Sequence, residues 1–153
     1  MALRNIVKIG DPILRKTSRT VEKFDEKLAQ LIDDMKETMY NANGVGLAAV
    51  QVGMLRRVVV IDIGDGVMEL VNPEIIEISK ERQCEMEGCL SLPGETVYTD
   101  RPMVVKVKAQ DRNGKWQIFK GSGLKARAFC HELDHLDGTV IRDVAVPAPE
   151  GKE

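Results

Sequence analysis

The sequence predicts an α+β fold. Two helical patterns lie toward the two ends of the chain, strand-like segments cluster between them, and no βαβ alternation connects the parts. A length of 153 residues suits one domain with a core of its own.

The first element is an amphipathic helix over roughly Asp25–Tyr40. Phe24, Leu28, Leu31, Ile32, Met35 and Met39 recur with a 3.6-residue period. Asp25 suits the N-cap, and Asn41 to Gly46 break the helix. Strands follow. Arg57 to Ile63 is a continuous β-branched run, and Met68 to Val71 resumes after Gly64-Asp65-Gly66. Short strands are expected over Glu74–Ser79 and Arg82–Met86. Met103 to Ala109 alternates, with Lys106 and Lys108 on a wet face. Asp111-Arg112-Asn113-Gly114 turns the chain into Trp116–Phe119, the clearest hairpin. A second helix runs from about Leu124 to Leu136, with Ser122 or Gly123 at its start and Gly138 at its end. Residues 1–153 read as a single domain with no linker, and the tail from about residue 145 is expected to fray.

Composition excludes several classes. The formal net charge is −2 and basic residues are scattered, which leaves no footprint for nucleic acid. No stretch approaches the ~20 apolar residues of a membrane span. The N-terminus has no apolar signal region, so the expected location is cytoplasmic. Three cysteines make no even disulfide framework.

The only two histidines stand four residues apart in His131-Glu132-Leu133-Asp134-His135. On a helix that spacing places both rings on one face, about 5–6 Å apart at Cβ. Two imidazoles can then converge on one metal ion, while Glu132 reaches a water beside the ion without being a ligand. A helix face that merely carries two polar rings is the bland alternative.

A catalytic ion normally has a third protein ligand. With no further histidine, it must be Cys, Asp or Glu. Cys130 adjoins His131 but points about 100° away, so it reads as a buried thiol. Cys84 has no obvious role. Cys89 lies in Glu87-Gly88-Cys89-Leu90-Ser91, where a glycine permits close backbone approach. Spacing alone leaves it open as a ligand or a buried cysteine. Asp134 faces away from the metal by helical phase and is structural or supports a ligand.

Gly44-Val45-Gly46-Leu47-Ala48-Ala49-Val50-Gln51 formally satisfies a dinucleotide fingerprint. That fingerprint needs a strand before it and a helix after it, and here the order is reversed. The segment is then a tight turn, or a loop whose backbone lines an extended substrate with Gln51 as an amide donor.

Together these three segments resemble the signature motifs of peptide deformylase, in the same order. Gly-x-Gly-x-Ala-Ala-x-Gln, Glu-Gly-Cys-Leu-Ser and His-Glu-x-x-Asp-His are complete, and the likeness extends to Gly10-Asp11-Pro12-Ile13-Leu14-Arg15. The resemblance implies hydrolysis of the formyl group from N-formylmethionyl nascent peptides. It implies antiparallel β-sheets packed around a central HExxH helix. It implies Cys89, His131 and His135 as ligands of Fe²⁺, with Zn²⁺, Ni²⁺ or Co²⁺ able to replace it. Glu132 is then the general base and acid. Gln51 and the Leu90 N–H meet the oxyanion, and Val45, Gly46 and Gly88 bind the peptide. Two positions depart from the family pattern. Cys130 stands where many members have Gln, and the short C-terminal segment weakens the expected ribosome contact. The alternatives are an HExxH metallopeptidase with Glu as third ligand, and a binding module with a closed zinc site.

Overall fold

The structure, a computed structural model, describes residues 2–151. It is an α+β fold of two α-helices and two antiparallel sheets. In chain order the elements are α1 (Glu26–Asn41), β1 (Gly46–Ala48), β2 (Val58–Ile61), β3 (Met68–Ile78), β4 (Arg82–Cys89), β5 (Leu92–Pro102), β6 (Val104–Gln110), β7 (Trp116–Ser122), α2 (Leu124–Leu136) and β8 (Ala145–Val146). Strands β1-β2-β3-β6-β7 form one sheet and β4-β5-β8 the other.

The middle of the five-stranded sheet is covered on both faces, and β2 shows why. Its four residues are all buried. Val58 and Val60 join Leu28, Leu31, Ile32, Met35 and Met39 of α1 in one apolar cluster. Val59 and Ile61 join Phe129 and Leu136 of α2 in another. A strand wet on neither face needs a continuous apolar run rather than an alternating one, which is what Val58–Ile61 supplies. Strand β6 instead alternates between buried and half-buried positions, so Lys106 and Lys108 reach outward.

Asp25 caps α1 through its side chain, which accepts from Leu28 N–H at 3.0 Å. Helix α2 begins after Gly123, which has no side chain to cap it. At its other end the Leu136 carbonyl accepts from Ser18 N–H at 2.7 Å and from Arg57 Nη1 at 3.2 Å. Gly138 then leaves the helix axis with a φ of +79°.

Three expectations need correction. The two short strands expected after residue 68 are one strand, β3, because Asn72 adopts a φ of +51° and a register shift absorbs the break. Strand β5 was not expected, since Pro93-Gly94 reads locally as a turn; pairing along β4 holds the segment extended instead. The tail does not fray at residue 145, because Ala145 and Val146 pair with Thr99 and Tyr98.

A Cβ on Gly138 would lie 2.5 Å from the Arg15 carbonyl oxygen. Gly138→Ala is expected to add that clash to about 1–2 kcal/mol of left-handed backbone strain. At about 2–4 °C per kcal/mol for a chain of this size, thermal unfolding should fall by roughly 5 °C or more.

Candidate metal centre and substrate cavity

The three motifs converge. Helix α2 carries His131, Glu132 and His135, β4 ends at Cys89, and a 3-10 turn over Ala49–Val52 carries Gln51. The ligand atoms of Cys89, His131 and His135 lie within 4.8 Å of one another. Cys89 Sγ is 3.3 Å from His135 Nε2, and the two imidazole centroids are 5.2 Å apart. Tetrahedral bonds of about 2.3 Å to sulfur and 2.0–2.1 Å to nitrogen put those donors about 3.5 Å apart. The trio therefore fits a metal ion in size and in chemistry. No disulfide competes for the thiol.

His131 is oriented from behind. Its Nδ1 lies 3.2 Å from Glu87 Oε1, which keeps the proton on Nδ1 and turns Nε2 toward the site. Glu87 is itself gripped. Arg101 reaches it through Nε at 3.2 Å and Nη2 at 3.1 Å, Arg127 Nη2 at 2.8 Å, and the Thr99 hydroxyl donates at 2.5 Å. Arg101 also donates to Asp134 Oδ2 at 2.8 Å, so Asp134 supports this cluster rather than the ion. Burial alone would raise the Glu87 carboxyl, but the bonds from His131 and Arg101 and the Arg101 charge win and hold it at about 2.

Glu132 stands in the opposite condition. It is 4% exposed, and its Oε1 has no hydrogen-bond partner among the described residues. Burial pushes its carboxyl up to about 7 against the pull of the His131 charge. Burial works against charge on His131 too, yet Glu132, Cys89 and Glu87 together raise it.

The glycine-rich segment is a strand and turn, not a loop. A Cβ at Gly46 would sit 2.5 Å from Glu132 Oε2, and one at Gly44 2.7 Å from Leu90 Cδ1. The two glycines are what let the first motif lie against the other two. Asp62 N–H donates to the Val45 carbonyl at 2.8 Å, and Gly46 stands opposite Ile61. By antiparallel alternation Gly46 then turns its own N–H and C=O to the outer edge of β1, where no strand follows. Strand β4, with Gly88, is likewise the outer strand of its sheet. Gln51 Oε1 accepts from Ala48 N–H at 3.0 Å, and its Nε2 lies 3.1 Å from Ser91 Oγ and 3.6 Å from Cys89 Sγ. Leu90 lies in the tight turn between β4 and β5.

A cavity of about 580 Å³ opens over these groups. Val45, Leu90, Leu124 and Ala128 give it apolar walls, and Gln51, Cys89, His131 and Glu132 face it at one end. Eight of the nine residues expected at the site line this cavity, and His135 joins them through the ligand cluster. Cys130 is buried, with its thiol pushed up to about 11 by burial, and it is not among the clustered ligand atoms. The sequence reading missed Arg101, Arg127, Thr99 and the role of Glu87. Glu87 opens the Glu-Gly-Cys-Leu-Ser segment, but nothing local marks Arg101 as the partner of a residue fourteen positions away.

A helix-borne His-Glu-x-x-His with a nearby thiol, opening on a cavity between strand edges, defines a metal-dependent hydrolase. The family profile described as polypeptide deformylase matches residues 3–149. A peptide deformylase of Finegoldia magna is 56% identical over 94% of this chain and 90% of its own length. One from Alkaliphilus metalliredigens is 54% identical over 94% of this chain and 97% of its own. The crystal structure of the Thermotoga maritima enzyme superposes with a TM-score of 0.94 at 45% identity, covering 96% of this chain and 100% of that one. The chain belongs to the polypeptide deformylase family, and it is an enzyme that removes the formyl group from nascent chains. The family is metal-dependent, in keeping with the Cys/His cluster. No helix among the described residues is long and apolar enough to cross a membrane.

Because the folded Glu87 carboxyl is depressed below its unfolded value, its contribution to stability is present above about pH 4.5 and is lost as pH falls toward 2. Glu87→Gln should therefore cost a few kcal/mol near pH 7. The gap to the unsubstituted protein should narrow steadily between pH 4.5 and 2 in denaturant titrations.

Proposed function

We propose that the chain is one catalytic domain that hydrolyses the formyl–amine bond of N-formylmethionyl peptides, with Cys89, His131 and His135 holding a single divalent ion. The observation that carries this reading is the approach of those three donors to within 4.8 Å beside an unpartnered, buried Glu132 carboxylate oxygen. In this reading α2 is the central helix on which the sheets pack, and α1 is the amphipathic helix on the far face. The location is cytoplasmic, where nascent chains are made.

When bound, the ion supplies Lewis acidity, polarising the formyl carbonyl and making water acidic near neutral pH. Glu132 takes the proton of the attacking water and returns it to the departing amine. Its burial suits both halves of that task, because a carboxyl raised toward 7 gives and accepts a proton with little cost. The oxygen that gains charge is met by Gln51 Nε2 and the Leu90 N–H, each worth perhaps 3 kcal/mol. Gln51 is prepared for this, since Ala48 and Ser91 fix its amide plane.

The peptide adds as a strand between two open edges. Gly46 supplies outward backbone groups on β1, and Gly88 lies across the cavity on β4. Val45 has its carbonyl engaged by Asp62, so it contributes its exposed side chain at the rim. The methionine side chain enters the apolar part of the cavity.

The native ion is read as Fe²⁺. Zinc outranks iron in intrinsic affinity, so aerobic preparations should carry zinc. The experiment is kcat/KM on one formyl-Met peptide and on its unformylated twin, for Fe²⁺, Ni²⁺, Co²⁺ and Zn²⁺ forms. Turnover confined to the formylated peptide, with iron well above zinc, supports the reading. Cleavage of the unformylated peptide would make the chain a peptidase.

Glu132→Ala should keep its metal and lose about 10²–10⁴ in rate. Wild-type turnover in a metal-loaded variant would remove Glu132 from the mechanism. Cys89→Ala should lose the ion, whereas Cys84→Ala and Cys130→Ala should retain it. Metal analysis of the three purified variants decides whether the third ligand has been assigned correctly.

A further inference from the structure

Arg127 has no part in the chemistry above, yet it is 5% exposed and lies four residues before His131 on α2. Residues at that spacing share one helix face. Its Nη2 reaches the Glu85 carbonyl at 2.7 Å, Thr99 Oγ1 at 2.9 Å and Glu87 Oε2 at 2.8 Å. Glu87 thus spans two successive turns of the ligand-bearing helix, with Oε2 on Arg127 and Oε1 on His131 Nδ1. Arg101 holds the same carboxylate from β5, and reaches α2 only through the partly exposed Asp134. Arg127 is the contact that fixes the carboxylate relative to the helix carrying both histidines.

We propose that Arg127 is a positioning residue for the metal centre. It holds Glu87 so that the His131 ring is set, with Nε2 directed at the ion, before the ion arrives. The proposal rests on the reading of Cys89, His131 and His135 as ligands.

Charge and orientation predict opposite signs here, which makes the idea testable. Arg127→Met removes a buried positive charge near a cation site, and by electrostatics alone should hold the ion more tightly. Loss of orientation should release it faster, since partners behind a ligand are worth about 10–100-fold in metal affinity. The measurement is the rate at which a chelator strips Co²⁺ and Zn²⁺ from each protein, with the visible d–d spectrum of the Co²⁺ form recorded alongside. Gln83→Met is the structural control. Gln83 ties β4 to the Pro102 and Gly123 carbonyls at 3.1 and 2.8 Å, away from Glu87.

Release about 10–100-fold faster from Arg127→Met, an altered Co²⁺ spectrum, an intermediate Arg127→Lys and an unaffected Gln83→Met support the proposal. Release from Arg127→Met at the wild-type rate or slower, with an unchanged spectrum, overturns it. If Arg127→Met does not fold, Thr99→Val removes the hydroxyl shared by Arg127 and Glu87 without changing charge. Faster release from that variant supports the proposal, and an unchanged rate overturns it. A wild-type protein that takes up neither ion overturns the ligand reading and the proposal together, whereas a loaded wild type with an indifferent Arg127→Met overturns the proposal alone.

Discussion

The Glu87 carboxylate is buried, and a buried carboxylate must be paired. Its partners come from two elements: Arg101 and Thr99 on β5, and Arg127 and His131 on α2. Satisfying one acidic group therefore fixes how the second sheet sits against the helix. Such a cluster is not cheap stability, since desolvating several charges offsets much of their attraction. Its return is geometric. Cys89 lies two residues beyond Glu87 on β4, so the strand that orients one histidine also delivers the thiol to the other.

Helix α2 shows the same constraint from the other side. Ten of its thirteen residues are buried, including Arg127, His131, Glu132 and His135. A polar group in that setting must find a partner or retain a use. Arg127 Nη2 and His131 Nδ1 have partners on β4 and β5. Arg127 Nη1, Glu132 Oε1 and His135 Nδ1 have none among the described residues. Glu132 lines the cavity beside His131, with its other oxygen, Oε2, 3.9 Å from His131 Nε2. The opposing wall comes from β1, where glycine at 46 lets the backbone lie against the buried Glu132 side chain. The third motif thus dictates residues in the first through space rather than along the chain.

Much of the fold was legible because short-range rules sufficed. The period of Leu28, Leu31, Ile32, Met35 and Met39 marks the buried side of α1, and Asp25 caps it as expected. The unbroken run in β2 signals a strand covered on both faces. Strand β5 was not legible. Leu92-Pro93-Gly94 obeys turn chemistry locally, and only the long ladder to β4 overrides it. Strand β8 was hidden for the same reason, being two residues whose extended state depends on pairing with Tyr98 and Thr99.

The sequence by itself determined the chemistry: two histidines one helical turn apart, a carboxylate beside the first, and a cysteine flanked by glycine and a tight turn. Those are properties of spacing and side-chain type, and they survive without coordinates. Tertiary structure alone decided which side chains hold Glu87 and which backbone edges stay unpaired beside the cavity. Each of these depends on groups 12 or more residues apart brought together by packing. A local pattern carries no record of such partners, because the energy that selects them is released only when both surfaces leave water.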